Sequence, residues 1–201
     1  PVNDMKMILN KYDYLQEFPQ KVMAEVKSFS QKSIDKEISN RRDLRQWTSF
    51  TIDPVDAKDF DDAISIKQNR NGYELGVHIA DVSHFVEQNT YIDREAIQRS
   101  TSVYFTEGVV HMLPEALSAN LCSLRPNEDR LAVSAIMKMD KDFNIIETDI
   151  LPTVINSKAR FTYQDVQDIV EGKIDHKFKD DILILKRLAK LILLGVVKPC
   201  L

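Results

Sequence analysis

The sequence has few cysteines, no long apolar run and no strong excess of charge, and each shortage argues against a class of protein. Its two cysteines, Cys122 and Cys200, form no CxxC pair, so neither a disulfide framework nor a zinc site is expected, and a reducing, cytoplasmic setting fits. The longest apolar run, residues 191–197, is far shorter than the ~20 residues that a membrane-spanning helix needs. We therefore predict no membrane partner.

The charge balance gives no direct sign of a nucleic-acid partner. The chain has 27 Lys and Arg against 31 Asp and Glu, a net charge of -4, whereas nucleic-acid-binding domains usually carry a strongly basic patch. Such a partner is still compatible with the sequence, because local fields decide binding and the total includes a cluster of aspartates. The 201 residues, 43% hydrophobic and 29% charged, suit one globular domain or one domain with an appendage.

Hydrophobic periodicity predicts strands in the middle of the chain and helices towards both ends, which is an α+β fold. Asn71-Gly72 predicts a hairpin turn, Thr162 a helix N-cap and Gly172 a helix end. The charged segment 35–45 alternates in sign, which favours an exposed linker or a further helix. The predicted strands are 49–52, 63–66, 73–80, 130–139 and 145–155, and the predicted helices are 20–30, 93–99, 115–120, 162–170 and 180–197.

An acidic segment between two predicted strands is the strongest functional signal. It places five aspartates within ten residues, namely Asp53, Asp56, Asp59, Asp61 and Asp62. Like charges repel, so an ordered arrangement of these side chains needs a compensating cation. A solvated acidic surface is the simplest alternative. A calcium loop of the EF-hand type is disfavoured because the segment contains no glycine. Mg²⁺ or Mn²⁺ in an open catalytic site is favoured, since such ions bind carboxylate oxygens and support phosphoryl chemistry.

Other reactive side chains give weaker signals. The four histidines are scattered, without the spacing of metal ligands or a nucleophile partner, so we expect each to be satisfied within the fold or exposed. Cys122 lies in an apolar block and is expected to be a small buried hydrophobe.

The acidic segment, Thr51-Ile-Asp-Pro-Val-Asp-Ala-Lys-Asp-Phe-Asp-Asp-Ala63, resembles the signature of the RNB catalytic domain of the ribonuclease II/ribonuclease R family. Its Asp-Phe-Asp-Asp variant is closer to ribonuclease R. Further blocks agree in order, at 78–83, 101–105, 112–118, 121–126 and 157–160. The resemblance implies a mixed, largely antiparallel sheet flanked by helices. It also implies a metal-dependent 3′-to-5′ exoribonuclease that hydrolyses single-stranded RNA to nucleoside 5′-monophosphates.

The resemblance also implies roles for the acidic residues. The family's four acidic active-site positions fall on Asp53, Asp59, Asp61 and Asp62, which would be both catalytic and ligands of Mg²⁺ (or Mn²⁺). Asp53 and Asp62 would ligate the metal, and Asp59 and Asp61 would complete the site directly or through water. Asp56 stands where the family pattern is loose.

Four further residues are expected to contact RNA by the same resemblance. Tyr104 would stack on a base near the 3′ end, the alternative being a residue of a plain apolar strand. Tyr163 would sense the ribose 2′-hydroxyl, the alternative being a core tyrosine at a helix start. Lys158 and Arg160, two residues apart in an extended stretch, could both face the phosphates.

The resemblance divides the chain into two parts. Residues 1–47 are expected to be a helical and charged linker from a preceding RNA-binding domain, and residues 48–201 the N-terminal portion of an RNB catalytic domain. The family's catalytic domain is longer, so we expect an exposed hydrophobic patch, self-association through it, and impaired catalysis by this portion alone. The alternative function is a non-catalytic module that keeps the fold and binds RNA or a protein.

Overall fold

In the computed structural model, residues 4–11, 17–106 and 108–195 are described, with side chains described from residue 7. The strands are β1 Arg42–Asp43, β2 Ser49–Asp53, β3 Asp62–Asn69, β4 Gly72–Ala80, β5 Val103–Phe105, β6 Gly108–Val110, β7 Asp129–Met139, β8 Ile145–Asn156 and β9 Ala159–Thr162. The helices are α1 Asp4–Lys11, α2 Gln20–Val26, α3 Gln31–Glu37, α4 Tyr91–Arg99, α5 Tyr163–Val170 and α6 Lys179–Leu193.

Seven of the strands form one sheet in the order β1-β8-β7-β4-β3-β2-β9. The pairs at its two edges, β1 with β8 and β2 with β9, are parallel, and the pairs between them are antiparallel. Strands β5 and β6 form a separate antiparallel hairpin. The structure confirms the predicted α+β class and the mixed, largely antiparallel sheet flanked by helices.

The β3–β4 hairpin follows from its turn residues. The Asn69 side-chain oxygen accepts hydrogen bonds from the backbone N–H groups of Asn71 and Gly72. Gly72 has a φ of 152°, and a Cβ at this position would lie 2.1 Å from the carbonyl oxygen of Met139 on the neighbouring strand. Only glycine fits there, so the turn sets the β3–β4 register, from Asn69 opposite Gly72 to Asp62 opposite Ile79.

Helices cover both faces of the sheet, because successive strand residues point to opposite sides. On β3, Ala63 belongs to the large core cluster that includes residues of α2, α3 and α4. Ile66 lies in a second cluster with Leu188 of α6, and Phe50 of β2 packs with Ile182 of α6 and residues of α5. The sheet is therefore the middle layer of the described fold.

Residues 35–45, predicted as an exposed linker or a further helix, are helical as far as Glu37 and mostly exposed, but two of their side chains are tied into the fold. Arg41 forms a 2.7 Å ion pair with Asp81, and both side chains are only 7% exposed. Leu44 and Trp47 are buried in the main core, and β1 pairs with β8. Alternating charge does not reveal that one charged side chain has a buried partner 40 residues away. The assignment of residues 1–47 to a linker from a preceding domain stays a prediction.

The helix predictions were confirmed in some places and wrong in others. The Thr162 hydroxyl caps α5 by accepting from the Asp165 N–H, and Gly172 follows with a φ of 77°. Residues 115–120 were predicted as an ordinary helix, but the structure has a short π-helical turn at Leu117–Leu121. The first predicted helix already ends at Val26.

The last helix leaves apolar side chains in solvent. Ile192, Leu193 and Leu194, at its end, are 55%, 87% and 66% exposed, and self-association through such a surface stays a prediction. The predicted continuation to residue 197, like Cys200, lies outside the described residues. None of the helices in the described ranges is long and apolar enough to cross a membrane.

Candidate active site

The acidic loop, defined here as residues 54–61, opens where two strands separate. Strands β2 and β3 pair only at Ser49–Ser65 and Phe50–Ile64. Beyond Phe50, β2 pairs instead with β9, as far as Asp53 opposite Thr162. Because β2 turns towards β9, the chain between Asp53 and the start of β3 has room to spread at one end of the sheet.

Four of the five aspartates line an open cleft of about 620 Å³ at this end. Asp53, Asp56, Asp59 and Asp61 line it together with His111, Glu115 and Tyr104 of the β5–β6 hairpin. Asp59, Asp61 and Tyr104 also border a second cleft of about 420 Å³. The structure therefore brings the predicted residues together around open space, with Asp62 next to them at the first position of β3.

The charged forms of the carboxylates in this site are destabilised by their surroundings. Burial raises the pKa of Asp53, as do the charges of Asp62 and Asp59, while a side-chain hydrogen bond from Thr51 and the charge of Arg160 lower it. Burial also raises the pKa of Asp61, followed by the charges of Asp59, Asp62 and Asp53. The Oδ2 atom of Asp53 is buried and accepts no well-formed hydrogen bond from the residues that the structure describes, although the neighbouring Thr51 hydroxyl is close enough to lower the pKa of this carboxyl. A buried polar atom without a partner is uncommon in folded proteins and needs an explanation.

The donor chemistry fits a hard divalent cation. Carboxylate oxygens are the ligands that Mg²⁺ and Mn²⁺ prefer, and a cation would satisfy Asp53 Oδ2 and offset the repulsion among the aspartates. Within the described ranges, however, no three acidic, histidine or cysteine side chains already surround one point as ligands. Binding would therefore require side-chain rotation, and the exposed side chains of Asp61 and Asp62 have the freedom for it. The metal site stays a prediction.

The two predicted RNA-contacting tyrosines are both at the surface. Tyr104 is 66% exposed, and its hydroxyl donates a 3.2 Å hydrogen bond to Asp59 Oδ2. Tyr163 is 64% exposed and follows Thr162, the residue opposite Asp53. The alternative of a core tyrosine is wrong for Tyr163, whose ring is exposed. Tyr104 lies in strand β5, as its alternative held, but its ring is accessible. Their contacts with RNA stay predictions.

The basic side chains of Lys158, just before β9, and Arg160, on β9, form hydrogen bonds within the protein. Arg160 Nη2 donates to the carbonyl oxygens of Pro54 and Val55, at 2.7 and 2.8 Å, and so holds the start of the acidic loop. Lys158 Nζ donates to Asn156 Oδ1 at 3.1 Å. Arg160 thus has a structural task that the sequence did not indicate, and phosphate contacts by either residue stay predictions.

One residue at the back of the acidic loop was missed by sequence reasoning. The Ser123 hydroxyl accepts from the Phe60 N–H and donates to the Lys58 carbonyl, both at 3.0 Å. Its only signal was its position inside the block 121–126 that carries the family resemblance, because a contact over more than 60 residues leaves no local pattern. Two of the weaker predictions were confirmed: Cys122 is buried, with its pKa raised by burial to about 12, and His78 is hydrogen-bonded in the core. The prediction for the histidines does not hold for His111, whose Nδ1 atom is buried without a hydrogen bond from the described residues.

Comparison with known proteins places the chain in a family. The RNB domain family matches residues 41–193, well over half of the chain, so the chain belongs to the RNB domain family. It is 46% identical over 189 residues to ribonuclease R of Chlamydia muridarum, covering 94% of this chain and 27% of that protein. It is 47% identical over 167 residues to ribonuclease R of Aquifex aeolicus, covering 83% of this chain and 24% of that protein. The chain thus spans about a quarter of the length of these relatives.

Solved structures agree with this placement. Mycoplasma genitalium RNase R in complex with ribose-methylated single-stranded RNA matches with a TM-score of 0.80 and 32% identity, over 90% of this chain and 28% of that one. Yeast Ssd1, described as a pseudonuclease, matches with a TM-score of 0.65 and 22% identity, over 77% of this chain and 19% of that one. The second likeness concerns the fold alone. The resemblance to ribonuclease R that the motifs indicated is confirmed.

Proposed function

We propose that this chain carries the metal-binding part of a 3′-to-5′ exoribonuclease that hydrolyses single-stranded RNA to nucleoside 5′-monophosphates. Membership in the RNB domain family and the identity to proteins named ribonuclease R support the proposal. The observation that carries it is the set of mutually repelling carboxylates, including the buried Oδ2 atom of Asp53, beside an open cleft.

In this proposal, Asp53, Asp59, Asp61 and Asp62 hold Mg²⁺ or Mn²⁺. The bound metal supplies charge neutralisation at the scissile phosphate and lowers the pKa of the attacking water. The aspartates fix its place relative to the cleft, and Asp53 does so from the end of β2, where its backbone is held by pairing with β9. Rigid support of this kind keeps ligands within reach of a productive geometry.

The proposed RNA contacts follow the walls of the site. Tyr104 presents an exposed ring beside both clefts, where stacking on a base would hold RNA of any sequence. Tyr163 presents an exposed hydroxyl-bearing ring next to the strand end that carries Asp53, in reach of a ribose 2′-hydroxyl in this proposal. Lys158 and Arg160 add positive charge on the β9 side for the phosphates.

A non-catalytic module that binds RNA or a protein is the second candidate. Two observations favour it: no ligand set is already assembled among the described residues, and the fold also occurs in yeast Ssd1, described as a pseudonuclease. The fold by itself therefore does not decide between a nuclease and a binding module.

The deciding experiment compares the wild-type protein, as expressed from its own gene, with Asp61→Asn. Mn²⁺ binding is measured by electron paramagnetic resonance, and degradation of 5′-labelled single-stranded RNA is followed with Mg²⁺. Asp149→Asn, which removes an exposed charge on β8, is the matched control. We expect progressive shortening from the 3′ end that only Asp61→Asn abolishes. Equal degradation by all three proteins rejects the role of Asp61, and RNA binding without Mn²⁺ binding supports the second candidate.

A further inference from the structure

The acidic loop is held from behind by a side chain that carries no charge. Ser123 is completely buried and follows the π-helical turn Leu117–Leu121 by two residues. Its hydroxyl accepts from the Phe60 N–H and donates to the Lys58 carbonyl, both at 3.0 Å. These two backbone groups stand on either side of Asp59, so one hydroxyl fixes the peptide units both before and after that residue.

Neighbouring hydrogen bonds extend this hold towards β3. The Leu124 N–H donates to the Phe60 carbonyl at 2.8 Å, and the Ala80 N–H donates to the Asp61 carbonyl at 2.9 Å. The Phe60 ring is 9% exposed and packs in the main core. With Phe60 directed inwards, the flanking side chains of Asp59 and Asp61 border the two clefts.

Ser123 is itself rigidly supported. Its N–H donates to the Asn120 carbonyl at 3.0 Å, and its carbonyl accepts from Arg130 Nε at 3.0 Å. The Arg130 side chain is 1% exposed and ion-paired with Glu128. Ser123 is therefore held in place independently of the acidic loop, and its hydroxyl restrains the loop and its carboxylates from a fixed position.

From these contacts we infer that Ser123 is a positioning residue, which sets the orientation of Asp59 and Asp61 in the proposed metal site. The inference rests on the proposed function, because the orientation of the two carboxylates matters for metal binding. Groups that orient metal ligands through hydrogen bonds typically change metal affinity by about 10–100-fold when they are lost. Without its hydroxyl, the buried Phe60 N–H loses its partner, and the loop can recover one only by moving towards water.

The chain offers a matched control for this inference. Ser49 on β2 is also completely buried, but its hydroxyl makes no hydrogen bond within the part of the chain that the structure describes. Ser123→Ala and Ser49→Ala therefore remove the same atom from equally buried sites, and only the first removes the support of the acidic loop. Thermal unfolding of both variants establishes that they are folded at the temperature of measurement.

Two measurements on the full chain test the inference. Without metal, amide hydrogen exchange by NMR should show roughly tenfold faster exchange at Phe60 in Ser123→Ala and no change in Ser49→Ala. In a Mn²⁺ titration, Ser123→Ala should bind about tenfold more weakly, with Ser49→Ala unchanged.

Each result is decisive. Unchanged Phe60 exchange in Ser123→Ala, or equal loss of Mn²⁺ affinity in both variants, overturns the positioning role. A wild-type protein that ignores Mn²⁺ overturns the proposed metal-dependent function, whereas the exchange at Phe60 then still decides whether Ser123 holds the loop.

Discussion

Two polar regions adjoin strand β3, one a buried ladder across the sheet and the other the acidic site before the strand, and they differ in whether their hydrogen-bond partners lie within the chain. In the polar ladder, His78 bonds to Ser65 at 2.9 Å and to Ser134 at 2.7 Å, and Ser134 bonds to Thr153 at 2.6 Å. All four side chains are completely buried and link four adjacent strands. A few residues away, the carboxylates of Asp53, Asp59, Asp61 and Asp62 repel one another, and the buried Oδ2 atom of Asp53 has no well-formed hydrogen bond among the described residues.

The difference teaches how to separate polar groups that serve the fold from those that serve function. A buried network with every member satisfied rigidifies the core. A cluster whose members raise one another's pKa, with a partner missing, is typical of a functional site. The two regions should therefore respond oppositely to substitution and to pH.

The largest expected effect is the loss of activity on neutralising Asp61. Asp61→Asn should lower RNA hydrolysis by roughly 100-fold or more, because it removes several kcal/mol of metal-dependent charge stabilisation. The free energy of unfolding without metal should stay equal or rise, because the charge it removes is repelled by Asp53, Asp59 and Asp62. Steady-state kinetics and urea unfolding measure the two effects. A marked loss of stability would instead assign the acidic loop to the fold.

The pH dependence of stability should separate the two regions next. Burial lowers the pKa of His78 from 6.5 to about 4. As the pH falls between these two values, the unfolded chain binds a proton that the folded protein does not, so the free energy of unfolding decreases by about 3 kcal/mol. The raised pKa values of Asp53 and Asp61 act in the opposite direction, because the folded state then binds protons more readily than the unfolded chain.

Urea unfolding at several pH values between about 7 and about 4, a range that covers the His78 window, checks this opposition. Asp61→Asn removes one compensating carboxylate, so its stability should fall more steeply with acid than that of the wild type. Parallel curves for the two proteins would mean that Asp61 is not strained in the folded state.

Breaking the ladder should lower stability without touching the metal site. Ser134→Ala leaves His78 and Thr153 without a shared partner and should reduce the free energy of unfolding by about 1–3 kcal/mol. Ser49→Ala, which removes a buried hydroxyl that bonds to nothing in the described ranges, should change it by no more than about 0.5 kcal/mol. Mn²⁺ affinity should be the same in both, and a weakened affinity in Ser134→Ala would show that the regions are coupled.

The smallest expected effect concerns the front of the acidic loop. Arg160→Ala removes the donor to the Pro54 and Val55 carbonyls and should weaken Mn²⁺ binding roughly two- to tenfold, the size of one net hydrogen bond. Arg160→Lys should retain part of the affinity, because an ammonium group can reach a carbonyl but cannot copy the guanidinium geometry. An unchanged Mn²⁺ affinity in Arg160→Ala would limit the role of Arg160 to contacts outside the acidic loop.

The sequence predicted those features of the fold that have local causes. Alternating apolar residues marked the strands on both sides of the acidic loop, Asn71-Gly72 marked the hairpin, and Thr162 marked the start of α5. Each of these signals depends on backbone preferences within a few residues. The clustering of the aspartates was equally local, since they lie within ten residues.

What the sequence did not show depends on distant partners. The Arg41–Asp81 ion pair and the Ser123 support of the acidic loop join segments that only the folded sheet brings together. The hydrogen bonds from Arg160 to the acidic loop were missed because Arg160 was considered only with Lys158, two residues away in an extended stretch, as a phosphate contact. Residues 115–120 formed a π-helical turn because the Cys122 N–H bonds to the Leu117 carbonyl at 2.8 Å, one residue farther than in an α-helix.

The shortness of β1 has a consequence for β8. It pairs with β8 only at Thr153 and Val154, so in the described part of the chain no strand covers the outer side of residues 146–151. This stretch exposes Ile146 and Ile150, at 65% and 74%. An unpaired strand edge of this kind can pair with a strand of a second chain and so extend the sheet between molecules. Glu147 and Asp149 lie between the two exposed isoleucines, and their negative charge disfavours pairing of this edge with a second copy of itself.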